Sequence, residues 1–299
     1  MGYLLITNDI EPYYRDVVYI MAQRYGCIYR FRYERESGFD LIDLPKPAAM
    51  EHQHAVIVLR SRETGRFVPI RRARVEHVFD SRRLVVVRFA LLDFPDPTSR
   101  SNWHIISEII ESQSAKNESG KPLHPLVFEA SDSDIGSIVG SPVSDSERSG
   151  IVDVDRWRYV IDSISELEFA KKSCFLYLHS IYEDDGAPLP RNRVKGGSFL
   201  AAPDSAYRFE IASYHSSTMA KQSDQRDTLL EFSLVLKTDA AILSPIQESS
   251  TVYSRYDDHL VSFRTNLEFP AIAEGDVPDL RLRPLCSSCR LAHTVDSLH

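Results

Sequence analysis

The stretch IYRFRYE, residues 28 to 34, alternates without interruption between apolar or aromatic and charged side chains. A strand turns successive residues to opposite faces, so Tyr29, Phe31 and Tyr33 point one way and Arg30 and Arg32 the other. A helix would scatter both sets around its surface. The stretch is therefore read as a strand with one aromatic face to bury, and its neighbours must supply a sheet and a cover.

Those neighbours are at hand. GYLLIT reads as a short strand, and PYYRDVVYIMAQRYG as a helix that starts at Pro12, sets Tyr14, Val17, Val18 and Met21 at helical spacing, and stops at Gly26. After the proline-broken DLPKPAAMEHQ come three more strands, HAVIVLRS, RFVPIRRARVEHVF and RLVVVRFALLDF. The first two are joined by RETG, with Gly65 placed for a positive φ, and the last two by DSR. RLVVVRFALLDF is apolar on both faces except at Arg88, which marks a central strand. A helix from about Ser101, carrying Trp103, Ile106, Ile109 and Ile110, closes the unit. Residues 1–112 are thus expected to form a small α+β domain with a curved antiparallel sheet.

Between Ser112 and Gly150 the composition changes to ten serines, four glycines and three prolines with little periodicity. Residues 113–150 read as a flexible linker and a natural site of proteolysis. Beyond it, CFLYLHSIY, SFLAA, AYRFEIASYH, TLLEFSLVLK and STVYSRYDDHLVSFRTN are five strands separated by turn-rich pieces, the pattern of an Ig-like antiparallel β-sandwich over residues 151–269. DRWRYVIDSISELEFAKK fits a helix through Val154, Trp157, Ile161, Ile164 and Leu167, but its neighbours favour strand. Residues 270–299, rich in proline and aperiodic, read as an extended tail.

The chain has 299 residues, 43% hydrophobic and 26% charged, as in soluble globular proteins. The opening MGYLLITNDIEP is too short in apolar residues for a signal peptide, and no later run approaches a membrane span. Cys27, Cys174, Cys286 and Cys289 make no disulfide framework, so a reducing cytoplasm is the expected setting. The net charge of −8 is unevenly laid out: nine arginines fall between Arg60 and Arg88 against Glu63, Glu76 and Asp80.

Four groups of residues invite a chemical reading. Arg30, Arg32, Arg60, Arg62, Arg66, Arg71, Arg72, Arg74, Arg82 and Arg83 lie on strands and turns of one small domain, where guanidinium groups suit carboxylate or phosphate partners. Cys286, Cys289, His293 and His299 have a C-x2-C-x3-H-x5-H spacing, shorter than a zinc finger and lacking a second proper pair; they are weak metal candidates. His52 and His54 share a face in an extended chain but have no third ligand close by. Asp257, Asp258 and His259 are adjacent, so their side chains diverge and make no catalytic triad. No G-x-S-x-G, G-x4-G-K-[ST], G-x-G-x-x-G or H-E-x-x-H occurs.

The expectation is a non-enzymatic adaptor or regulatory subunit without a cofactor, binding a protein partner through two β-rich modules and not a membrane. Two alternatives stand beside it. One is a nucleic-acid-binding protein that uses the arginine-rich N-terminal domain, and the other a proteolytic substrate or switch cut in its linker.

Overall fold

A computed structural model describes residues 1–34, 47–81, 84–114, 127–143, 151–171 and 173–183, then residue 186 and the strand segments 194–195, 198–199, 206–215, 227–237, 242–255, 260–266 and 279–286. The chain divides into two compact units, one of residues 1–21 and 28–169, the other of residues 22–27 and 170–299.

The first unit is an α+β domain on a mixed six-stranded sheet. Its strands are β1 (Gly2–Asn8), β2 (Ile28–Glu34), β3 (His54–Arg60), β4 (Phe67–Asp80), β5 (Leu84–Leu91) and β6 (Val127–Ala130). In space they lie in the order β2-β5-β4-β3-β1-β6. All neighbours are antiparallel except β1 and β3, which run parallel from Gly2 opposite His54 to Asn8 opposite Arg60. The expectation of a wholly antiparallel sheet is corrected here. β1 is buried at all seven positions, the signature of a strand covered on both faces, and it joins the sheet between β3 and β6.

Aromatic packing lines one face beneath α1 (Tyr13–Ala22). Phe31 and Phe89 meet edge to face with ring centroids 5.0 Å apart, and Tyr19 of α1 lies 4.7 Å from Tyr29. Each such pair adds about 0.5–1.5 kcal/mol beyond the area buried. This is the face that the alternation of residues 28–34 assigns to the interior. Helix α1 carries no basic residue in its last turn, so its final carbonyls need other donors. Trp157 supplies one, its Nε1–H donating to the carbonyl of Met21 at 3.0 Å. Arg71 supplies the other, Nη1 donating to the carbonyl of Ile20 at 2.8 Å while Nε donates to that of Leu92 at 2.8 Å.

The opposite face is covered by α3 (His104–Ser114) and α4 (Asp132–Val139), with α2 (Pro47–Met50) a single turn before β3. Leu4, Ile6, Val56, Val58, Ile106 and Ile138 form the core there. Helix α4 starts at a capping box: the Ser131 hydroxyl accepts from the N–H of Asp134, whose carboxylate accepts from the N–H of Ser131. It ends at Gly140, at a φ of 72°, where a Cβ would sit 2.5 Å from that of Asp96. The residues that follow are clamped to the sheet. Arg72 Nη2 donates to the Gly140 carbonyl at 2.6 Å, and the N–H of Val143 donates to Asp93 Oδ2 at 3.2 Å. Arg156 bridges the Ser141 carbonyl at 2.8 Å and Asp96 Oδ2 at 2.7 Å.

Two further expectations are corrected by these contacts. Residues 113–150 are not one flexible linker: β6 pairs with β1, and Phe128, Ala130, Ile135 and Ile138 fill the core. A serine-rich composition hid a short apolar register, Val127 to Ala130 and Ile135 to Val139, that the exposed edge of β1 captures. Residues 115–126 and 144–150, where cleavage was expected, lie outside the described residues. The segment read as strand from Asp155 is helical, α5 (Ile151–Ile164) followed by α6 (Glu168–Lys171). Val154, Trp157, Val160, Ile161 and Ile164 are all buried, so the helical stripe prevails over the strand pattern. The first unit accordingly extends to Phe169 rather than ending at residue 112.

In the second unit, β7 (Cys174–Glu183), β10 (Ala206–His215) and β13 (Leu260–Asn266) form an antiparallel sheet with β10 in the middle and a bulge between Glu210 and Ile211. Strands β11 (Asp227–Lys237), β12 (Ile242–Arg255) and β14 (Asp279–Cys286) form another around β11, and β8 (Val194–Lys195) pairs with β9 (Ser198–Phe199). The tail expected from residue 270 contains a strand over Asp279–Cys286, paired with β11. No helix among the described residues is long and apolar enough to cross a membrane.

Candidate macromolecule-binding face

Two bulges in β4 decide where the arginines point. Pairing with β3 shifts between Ile57 and Val58, leaving Ile70 over, and pairing with β5 shifts between Val75 and His77, leaving Glu76 over. Each extra residue reverses the alternation beyond it. Arg71 therefore lies opposite Ile57 on the aromatic face, while Arg72 and Arg74 lie opposite Val56 and His54 on the other. The second bulge brings His77 and Phe79 into phase with that same face.

What results is a pair of cross-strand rows. His77, Arg88 and Arg30 stand side by side on β4, β5 and β2, and Phe79, Val86 and Arg32 form the next row. Directly opposed residues have Cβ atoms roughly 4.5–5.5 Å apart, and Arg30 and Arg88 are such a pair. Helices α3 and α4 cover the β6, β1 and β3 part of this face, whereas Arg32, His77, Phe79 and Arg88 are exposed. Phe79 is 57% exposed, against 4% for Phe31 on the reverse side.

Acids edge the rows. Arg74 forks onto Glu76 Oε1 at 2.9 and 3.0 Å, and His77 Nδ1 lies 2.6 Å from Glu51 Oε1. The backbone N–H of Val78, and after it the His77 ring, hold the Glu51 carboxyl below its usual range. No carboxylate among the described residues pairs with Arg32 or Arg88. Beneath the rows, Tyr29 donates to Asp16 Oδ1 at 2.5 Å. Burial raises the pKa of Asp16, although that hydrogen bond opposes it, and burial with the nearby carboxylate raises those of Tyr29 and Tyr33.

The other residues singled out from sequence disperse. Arg71 is fully buried, its guanidinium 4.2 Å from the Phe94 ring, and Arg72 is 9% exposed; both hold the interior together and are removed from any solvent-facing set. They point to opposite faces, Arg71 toward α1 and Arg72 toward the end of α4, and both are buried because the sheet is covered on both sides there. Arg60 is half-buried near Phe67, and the backbone N–H of Arg62 donates to the Asp9 carboxylate. Arg66 reaches within 4.0 Å of Glu166. Arg82 and Arg83 lie outside the described residues. His52 and His54 are exposed around the start of β3, and no group of three or more metal-binding side chains occurs among the described residues. Cys286 ends β14 opposite Leu230, while Cys289, His293, His299 and the Asp257, Asp258 and His259 cluster lie outside the described residues.

Sequence reasoning passed over Arg88, His77 and Phe79. Arg88 was visible as the lone charge in an apolar strand, whereas the phase of His77 and Phe79 depends on a bulge that no local pattern announces. The chain matches no protein-family model, no curated protein and no solved structure.

Proposed function

We propose that this chain is a non-catalytic binding protein, an adaptor or regulatory subunit acting in the cytoplasm, whose N-terminal domain engages another macromolecule through the open half of its sheet. The observation that carries the reading is the exposure of His77, Arg88, Phe79 and Arg32 in neighbouring cross-strand rows, on a face whose other half is packed under two helices. Exposed arginine beside an exposed aromatic is the composition enriched at recognition surfaces. The antiparallel three-stranded sheets of the C-terminal region support its reading as an Ig-like β-sandwich and a second recognition module.

The test is recovery of partners by the tagged full-length chain from its native host, compared with Phe79→Ser and Arg32→Glu variants of unchanged circular dichroism. A partner recovered by the parent and lost from both variants supports the proposal. Identical recovery by all three proteins would sink it.

A further inference from the structure

We infer that this half-sheet binds an acidic, extended peptide segment of a partner protein, with two carboxylates on Arg32 and Arg88 and an apolar side chain against Phe79 and Val86. The inference rests on reading the half-sheet as a recognition face and names the chemistry of its partner.

Three features favour this occupant. First, Arg32 and Arg88 are exposed, and the side chain of neither pairs with a described carboxylate. They are diagonal neighbours, since Arg32 faces Val86 and Val86 lies two residues before Arg88 on the same face of β5. Such neighbours are roughly 7–8 Å apart. Same-face residues of an extended chain recur about every 6.8 Å, so two acids separated by one residue reach both guanidinium groups together. Second, an apolar anchor adjoins these cations. Val86 is half-buried, with Arg32 on one side and the 57% exposed Phe79 on the other. A leucine or aromatic residue beside the acids covers both, and arginine around an aromatic anchor is the composition of protein recognition sites. Third, the charge of the face is mixed. His77, next to Arg88 in its row, has the Glu51 carboxylate 2.6 Å from its Nδ1, and the bulge residue Glu76 accepts the fork of Arg74. A polypeptide can set acids at Arg32 and Arg88 and a neutral or basic residue beside Glu51 and Glu76. A nucleic acid presents a phosphate at every nucleotide and meets those two carboxylates as it runs past His77.

Selection from a phage-displayed library of random twelve-residue peptides on the immobilised, nuclease-treated full-length chain tests this. Enriched peptides are expected to carry two acids separated by one residue, beside a leucine or an aromatic. Made as labelled synthetic peptides and followed by fluorescence anisotropy, they should bind about a hundredfold more weakly to Arg32→Glu with Arg88→Glu. Selection on that variant should enrich basic residues in place of the acids. Phe79→Ala should weaken binding roughly tenfold. Arg62→Glu with Arg66→Glu makes the same charge change at the opposite end of β4 and should alter the affinity less than about threefold. No enrichment, enrichment without acids, or acidic peptides weakened equally by the two double reversals overturns the inference. Labelled oligouridine that binds more tightly than the selected peptides, and is lost on reversal of Arg32 and Arg88, also overturns it. The recognition face then stands with a different partner. Failure of the face itself is read separately, as recovery of native partners unchanged by Phe79→Ser and Arg32→Glu.

Discussion

Arg71→Met tests whether the interior of the N-terminal domain depends on one buried guanidinium. Arg71 is fully buried, donates 2.8 Å hydrogen bonds to the carbonyls of Ile20 and Leu92, and packs 4.2 Å from Phe94. Methionine keeps most of the aliphatic stem and loses every donor. A hydrogen bond from a charged group is worth about 1.5–3 kcal/mol, and a desolvated cation–π contact about 2 kcal/mol. These contributions overlap, since all belong to one group, and the stem packing survives. A net loss of about 3–5 kcal/mol is expected, large beside the usual 5–15 kcal/mol of a domain. Arg71→Lys retains the charge, but a compact ammonium reaches one carbonyl rather than both, so about half that loss is expected. Urea unfolding followed by tryptophan fluorescence is the assay. The protein has two tryptophans, Trp103 and Trp157, both in the first unit, so the signal reports that unit alone. At a slope of about 2 kcal/mol per molar urea, the methionine variant should shift the midpoint by about 1.5–2.5 M. A loss below about 1 kcal/mol would refute the reasoning, because the two carbonyls would then have other donors.

Other outcomes follow from the same packing. Gly140→Ala should destabilise the domain by about 1–3 kcal/mol in the same assay, because it adds a Cβ at a positive φ and against Asp96. A fragment of residues 1–112 should be insoluble or molten by near-ultraviolet circular dichroism, while residues 1–171 fold, because β6, α4 and α5 complete the core. Asp96 and Asp16 should respond to pH in opposite directions. Burial pushes Asp96 up, but hydrogen bonds from Thr98 and the charge of Arg156 outweigh it and hold it low. Its contribution is present above the unfolded value of about 4 and is lost as pH falls through the folded one. Asp16 is raised in the folded state, so it weakens stability as pH climbs from about 4 through its folded value. Urea midpoints between pH 3 and 7 should therefore show Asp96→Asn losing stability at neutral pH and Asp16→Asn gaining it.

Several elements were legible along the chain because their signals are local. The turn glycine Gly65 adopts a φ of 69°, as its place in RETG requires, and the helix from Tyr13 buries Val17, Val18 and Met21 at the expected spacing. The helix α5 was misread although its stripe was noticed, because short apolar runs satisfy both periods and the neighbouring strands biased the choice. The capture of β6 was invisible for a different reason. Four residues of weak pattern become a strand only when an edge with matching register, here Gly2 to Leu5 of β1, is already in place. The candidate face was half visible: Arg30 and Arg32 followed from alternation, whereas their neighbours on β5 and β4 were set by pairing.

The sequence alone determined that residues 28–34 form a strand with aromatic side chains on one face and arginines on the other, because a period of two is a property of the backbone itself. It also placed the turn at Gly65 between β3 and β4. Only the tertiary structure decided that Arg71 and Arg72 go inward while Arg32, Arg88 and Phe79 share an open surface. Two one-residue bulges, placed by the pairing of β4 with β3 and β5, reset that period along the strand. A register between strands is a non-local quantity, and the facing of every side chain beyond a bulge depends on it.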